Sequence, residues 1–351
     1  MSGKSKNYVD GMLVDWGAAL FNEGPVSASP RGSGAAGLLK RRSRKAGASG
    51  GILKKGGPGA VSQSAATIRS KLGAIAKRTP EVMVKITSGA PKGMRQIKRH
   101  LDYISRKGEI PLEDQDGDVI VGKLALEGLR DDWQHGGAYI ADEPGRFREA
   151  FHIVFSMPEG TDELAVRRAV RDFAAREFEG HQYVMAMHTF DTDPDPEPSK
   201  HPHVHLAVKA RGDDLTRLSP RKADLQRWRE GFASALREHG VEAAATNRLQ
   251  RLKRERSEKQ AVRQMRESGR ALQRIGRSPK DEDAKAAAIA KESQVYGTYR
   301  KLVEALAQSE DAEDRKLAVQ VVERLAEDRE AARGDQFREQ RPGRSDKPPE
   351  R

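Results

Sequence analysis

Between residues 81 and 245 the apolar positions recur with two different periods, and the switching between them outlines a succession of strands and helices. Residues 81–90 (EVMVKITSGA), 151–157, 183–190 and 203–210 have the composition and spacing of strands, the second stopped by Pro158. In 93–107, Met94, Ile97, Leu101 and Ile104 form one stripe at helical spacing, and Gly108 follows as the stop. Helices are also predicted over 161–179, with Thr161 as cap, and over 220–239. The stretch EDQDGDVIVGK carries an Asp-Gly turn followed by an apolar run, the pattern of a hairpin. The connections between the last strands are too short for helical crossovers. The expected class is therefore α+β, with a central antiparallel sheet flanked by helices.

The flanks read differently. Residues 1–80 are rich in Gly, Ser and Ala, and a short amphipathic stretch at 12–21 is the one helical signal there. The rest has the composition of a flexible arm. From 246 to 335 the chain is charged, alanine-rich and helix-prone, with helical spacing of apolar residues at 302–306 and 317–325. Residues 336–351 are Arg- and Pro-rich, the composition of a disordered tail. Four regions follow: a flexible basic arm (1–80), a folded domain (81–245), a helical extension (246–335) and the tail (336–351).

Composition supports a folded centre with polar flanks. Of 351 residues, 36% are hydrophobic and 33% charged, with a mean hydropathy of -0.77. The formal net charge is +12, and residues 1–80 hold 14 Lys and Arg against 3 Asp and Glu. The densest cluster, Lys40-Arg41-Arg42-Ser43-Arg44-Lys45, suits contact with a polyanion backbone, although a solvating arm has the same composition. The chain has no cysteine, which excludes disulfides, thiolate zinc sites and cysteine catalysis, so a metal would be held by His, Asp or Glu. No apolar run approaches the roughly 20 residues of a membrane span and the N-terminus lacks a signal-peptide core. A cytoplasmic protein without membrane insertion is expected.

The strongest chemical signal is HPHVHLAVKA. Along a strand, His203, His205 and Ala207 share one face while Val204, Leu206 and Val208 share the other. Two imidazoles are thus presented side by side, and the preceding strand offers a third in His188. The acidic loop beginning at Asp191 suits a divalent cation or the orienting of histidines. His152 and Ser156 share one face of their strand, either as part of that site or as a solvent-facing pair.

A second signal lies in GMRQIKRHLDYISRKG. Tyr103 falls well off the apolar stripe, and Arg99 and Arg106, at helical spacing on either side, share its face, each able to hold a phosphate. Phenols are mostly protonated at neutral pH, and flanking guanidinium charge with a nearby cation favours the reactive phenolate. On the residues alone, a nucleophile and an ordinary surface tyrosine both remain open.

Taken together, Tyr103-Ile-Ser-Arg-Lys-Gly108, then Phe151-His-Ile-Val-Phe-Ser-Met-Pro-Glu-Gly-Thr161, then His188 with His201-Pro-His-Val-His205, resemble in content and order the three motifs of conjugative relaxases. These are mobilisation nucleases of the His-hydrophobe-His (HUH) endonuclease class, and the likeness is to the T-DNA border endonuclease type. The resemblance covers about 81–245. It implies a relaxase fold in which Tyr103 is the nucleophile that becomes joined to a 5′ phosphate. His188, His203 and His205 would bind Mg²⁺ or Mn²⁺, Ser156 would contact DNA, and Asp191 would orient a histidine or assist deprotonation. Arg99, Arg106 and Lys107, with Arg41, Arg42 and Arg44 in the arm, are the implied DNA contacts. The interval from His188 to His203 is long for the family, stretched by Pro194-Asp195-Pro196-Glu197-Pro198.

The function so implied is nicking of single-stranded DNA at the transfer origin of a plasmid or integrative element. The implied partners are accessory relaxosome proteins and a type IV coupling protein, with export alongside the DNA. Two rival readings are a rolling-circle replication initiator, in which the order of the motifs is usually reversed, and a non-catalytic DNA-binding protein that retains the fold. A histidine phosphodiesterase is disfavoured because His203-Val-His205-Leu lacks the hydroxyl residues its boxes need.

Overall fold

The computed structural model describes residues 5–21, 64–87, 92–195, 198–252 and 280–339. It divides into two compact units, one of residues 1–69 with 278–318 and one of 70–277 with 319–351. Of the four regions read from the sequence, the basic cluster at 40–45 and the tail from 340 onward lie outside the described residues.

The second unit is built on six strands: β1 (Met83–Ile86), β2 (Leu112–Asp114), β3 (Val119–Ile120), β4 (Ala150–Ser156), β5 (Tyr183–His188) and β6 (His203–Lys209). They form one sheet in the order β1-β4-β6-β5-β2-β3, with every neighbouring pair antiparallel. Antiparallel pairing is what the short connections demand. The expected hairpin is present between β2 and β3. Its turn is closed by the Asp114 carboxylate, which accepts from the amides of Asp116 and Asp118, and by Gly117 at φ +88.

Strand alternation gives the sheet two buried faces of different character. On one, Phe151, Ile153 and Phe155 of β4 and Val204, Leu206 and Val208 of β6 meet two helices, α5 (Glu163–Glu177) and α6 (Lys222–Glu238). Val166, Val170 and Phe173 of α5 and Trp228 and Phe232 of α6 complete that core, with the aromatic rings of Phe155, Phe173 and Phe232 in mutual contact. On the other face Ala150, Ala186 and Ala207, with Leu112 and Val184, provide the floor on which α3 (Met94–Ile104) lies by its stripe of Met94, Ile97, Leu101 and Ile104. Helix α4 (Gly122–His135) packs beside it through Leu126 and Trp133.

Two local differences from the sequence reading have clear causes. The cap of α5 is Asp162 and not Thr161: its carboxylate accepts from the amides of Leu164 and Ala165, while the Thr161 hydroxyl donates to the Pro158 carbonyl. A carboxylate suits the positive end of a helix better than a hydroxyl. Helix α4 was not anticipated, because its glycine start and the apolar run before it read as strand. The strand ends at Ile120, and Leu126, Leu129 and Trp133 then set a helical period.

The first unit contains α1 (Lys6–Phe21), the start of α2 (Ala65–Ala76), α7 (Lys280–Ala307) and the start of α8 (Ala312–Glu339). Helices α1 and α7 pack together, with Val9, Leu13 and Leu20 buried on the first and Tyr299, Leu302 and Leu306 on the second. Gly17 of α1 makes room for Ile68 of α2, since a Cβ there would lie 2.5 Å from the isoleucine Cδ1. Thus two stretches within the N-terminal region, 6–21 and 65–76, are helical.

Glu113 of β2 is buried and grips two arginines of α5, Arg167 at 2.7 Å and Arg171 through two hydrogen bonds. Burial alone would raise its pKa, but the two guanidiniums outweigh it and hold the carboxyl below its ordinary value. A folded-state pKa below the unfolded one adds stability above the unfolded value, and that stability is lost as pH falls through the folded one. We expect Glu113→Gln to cost about 1.5–3 kcal/mol at neutral pH. In urea unfolding, the gap from the wild type should close as the pH drops below about 4.

Candidate active site

The face of the sheet that carries α3 ends in histidines. Register places His188 of β5 opposite His203 of β6, His203 opposite Ser156 of β4, and His205 between Ala186 and Val154, so all of these side chains belong to one face. The three rings form a close triangle, with centroids 5.2 Å apart for His188–His203, 4.7 Å for His188–His205 and 5.1 Å for His203–His205. One nitrogen from each lies within 4.8 Å of the others, close enough for small ring rotations to bring all three onto one ion. His203 Nδ1 is held by the His201 carbonyl at 2.9 Å, which orients that ring and leaves its Nε2 for a ligand role.

Burial lowers the pKa of all three, and neighbouring imidazoles add to the effect at His205, which falls to about 2. Rings that are neutral at physiological pH present lone pairs, which is the state a cation needs.

Helix α3 delivers the tyrosine to this cluster. With its apolar stripe on that floor, Tyr103 is directed outward, 53% exposed, at the end of the helix nearest the histidines. Its ring stands edge-on to His205, with centroids 5.7 Å apart. One turn earlier on the same helix, His100 stacks on His152 of β4 at 3.2 Å between centroids, and both rings have a buried Nε2 without a hydrogen-bond partner. Burial pushes these two well down, to about 4 for His100 and about 2 for His152, so the pair is neutral. His152 therefore belongs to the same buried imidazole layer and is not a solvent-facing residue. His100 was not singled out from the sequence, although its position three residues before Tyr103 on a helix was the available signal.

The turn after α3 is wound backwards. Arg106, Lys107 and Gly108 all have positive φ, at 48°, 59° and 94°. A left-handed conformation costs about 1–2 kcal/mol at each non-glycine position. At Gly108 a side chain is excluded outright, because a Cβ would lie 2.8 Å from the backbone of Gly122. The result is that Arg106 folds back over the helix end. Its Nη1 donates to the Tyr103 carbonyl at 2.9 Å, and its guanidinium carbon sits 4.8 Å from the Tyr103 ring centroid. It also forms a two-point ion pair with Asp193, at 2.8 and 2.9 Å.

Asp193 in turn contacts His188 Nδ1 at 3.0 Å. Burial would raise the Asp193 pKa, but Arg106 chiefly pulls it down to about 2, so the group is a carboxylate. The other nitrogen of His188, Nε2, faces the carbonyl of Ile104 at 2.7 Å. Both nitrogens therefore face acceptors, which a neutral ring satisfies at only one. A cation taking His188 through Nε2 has to displace the Ile104 carbonyl, which belongs to the residue next to Tyr103.

The residues named from the sequence thus occupy different stations. His188, His203, His205, Tyr103 and Ser156 are gathered on one face, with Ser156 buried and aligned with His203. Arg99 and Lys107 are exposed beside Tyr103. Arg106 is only 16% exposed in its side chain and is engaged with Asp193. Asp191 is exposed, and the contact to His188 is made by Asp193, two residues further along the same acidic loop. Arg41, Arg42 and Arg44 lie outside the described residues.

Comparison with known proteins gives this geometry a context. Residues 112–241 match the family "Relaxase: MobA/VirD2-like, nuclease domain". The chain is also similar to the T-DNA border endonuclease VirD2 of Agrobacterium fabrum and to that of Rhizobium rhizogenes, 30% identical over 121 residues in each case. That alignment covers 31% of this chain and 27% and 28% of those proteins, so the chain spans little more than a quarter of their length. The family match contains Ser156, the three histidines and Asp193, and begins nine residues after Tyr103. Over residues 112–241 the chain thus matches the relaxase nuclease domain of the MobA/VirD2-like family.

Proposed function

We propose that the chain is a relaxase that cuts one strand of DNA at a transfer origin by transesterification, with Tyr103 as nucleophile. The observation that carries the proposal is the meeting of Tyr103 with the imidazole triangle: the ring of this exposed tyrosine of α3 stands edge-on to His205, with centroids 5.7 Å apart. Nothing in packing calls for this tyrosine, since the helix buries its other face.

In the proposed reaction the Tyr103 oxygen attacks the scissile phosphorus, a new P–O bond forms, and the bond to the 3′ oxygen breaks. The tyrosine proton is given up, and the departing oxygen takes a proton to become a 3′-hydroxyl. The 5′ phosphate stays on Tyr103 as a diester, so the bond's free energy is retained and the strand can be rejoined. His188, His203 and His205 would hold a divalent cation, which when bound supplies charge neutralisation at a non-bridging phosphate oxygen. Arg99 and Lys107 are exposed beside the nucleophile to hold the strand's phosphates, and Ser156 lines the same face. The phosphate must reach a cleft on the sheet, which favours single-stranded or melted DNA as substrate.

The donor set narrows the cation. Three imidazole nitrogens suit a first-row transition ion, whereas Mg²⁺ prefers oxygen ligands and retains its waters. Of the two ions considered, Mn²⁺ is the better match.

A substrate at the transfer origin of a plasmid or integrative element is part of this proposal. So are accessory relaxosome proteins and a type IV coupling protein as partners, with cytoplasmic action followed by export with the DNA. No helix among the described residues is long and apolar enough to cross a membrane.

The protein incubated with a labelled single-stranded oligonucleotide spanning its nick site and Mn²⁺ should yield a covalent adduct on a denaturing gel. The adduct should be absent in Tyr103→Phe; an undiminished adduct in that variant would move the nucleophile to another tyrosine. His203→Ala should lower the cleavage rate by about 10²-fold or more while leaving oligonucleotide affinity within a few-fold. Cleavage at full rate in that variant, or undiminished cleavage in excess EDTA, would remove the metal from the mechanism.

A further inference from the structure

We infer that Arg106 is a positioning residue that ties the nucleophile's helix to the metal-binding histidines through Asp193, and is not a phosphate contact. The inference rests on the proposed function for the role of the cation but assigns a task that neither the motif nor the family match specifies.

Three contacts of one guanidinium carry it. The two-point pair with Asp193 uses Nε and Nη2, at 2.8 and 2.9 Å, and Nη1 is directed to the Tyr103 carbonyl at 2.9 Å. Every guanidinium nitrogen thus already has an acceptor within the protein, and Nη2 has a second in Asp195 at 3.4 Å. The Asp193 carboxylate is 4% exposed and the Arg106 side chain 16%, so the pair is withdrawn from the surface on which a strand would lie. By contrast Arg99, on the same helix one turn before Tyr103, is exposed.

The chain of contacts is also directional. Arg106 fixes the rotation of the Asp193 carboxylate, whose Oδ2 receives His188 Nδ1 at 3.0 Å, and this in turn aims His188 Nε2 back toward the end of α3. A carboxylate on the far nitrogen of a metal-binding imidazole sets the ring's orientation and raises its basicity, and losing such a partner weakens metal binding by about 10–100-fold. Here the carboxylate is itself clamped by a residue of the tyrosine motif, whose guanidinium also packs on the Tyr103 ring. A lysine cannot reproduce the clamp, because an ammonium offers a point charge where the site needs a planar fork.

The test measures Mn²⁺ affinity by calorimetry on the DNA-free protein, and single-strand affinity against salt concentration without metal. Arg106→Ala should weaken Mn²⁺ binding at least about tenfold. Its DNA affinity should stay within about twofold of wild type with an unchanged salt slope. Arg106→Lys should recover little of the metal affinity, which separates a geometric clamp from a requirement for positive charge. In an Asp193→Asn background Arg106→Ala should cause no further loss, a coupling that general destabilisation would not produce. Arg99→Ala should do the reverse, sparing Mn²⁺ affinity and lowering the salt slope by about 0.7.

If Arg106→Ala binds Mn²⁺ as the wild type does and loses one unit of phosphate contact instead, Arg106 is a DNA ligand and the inference falls while the proposed function stands. Full recovery in Arg106→Lys would equally overturn the clamp. Failure of the wild type itself to bind Mn²⁺ would overturn the metal centre and, with it, this inference.

Discussion

The close approach of α3 to the histidine-bearing face of the sheet is the constraint from which the site follows. That face presents Ala150, Ala186 and Ala207 beside Leu112 and Val184, whereas the opposite face carries the phenylalanines of the larger core. The final turn of α3 reaches His188 and His205: the Ile104 carbonyl lies 2.7 Å from His188 Nε2, and the Tyr103 ring stands edge-on to that of His205.

The imidazole layer extends this logic. Five histidines, His100, His152, His188, His203 and His205, are drawn out of water by the same packing, and desolvation lowers the pKa of each. Burying neutral imidazoles with unmatched nitrogens is unfavourable for stability, and the orphaned Nε2 atoms of His100 and His152 show that it is tolerated here. Such a layer is chemically useful because lone pairs are available at neutral pH without competition from protons. The left-handed turn at Arg106 and Lys107 is a second local cost in the same place, offset by the ion pair it makes with Asp193.

The acidic loop between β5 and β6 links the two halves of the site. It lengthens the interval from His188 to His203, yet the antiparallel register still sets these two residues opposite each other. Within the loop, Asp193 turns inward onto His188 while Asp191 stays at the surface, a choice made by the path of the backbone and not by residue type.

Periodicity in the sequence was enough to determine the strands, the helix that carries Tyr103, the antiparallel class and the shared face of His203 and His205, because each depends on residues close along the chain. The separation of a core face from a chemical face was visible in HVHLAVK for the same reason. The residues that complete the site were decided by tertiary structure: Asp193 in place of a neighbouring carboxylate, His100 against His152 from an element 52 residues away, and Arg106 directed inward though it sits on the exposed face in a helical projection. That projection assumes the helix continues, whereas it ends at Ile104 and reverses hand, so the direction of the Arg106 side chain depends on backbone dihedrals and distant partners that no local pattern encodes.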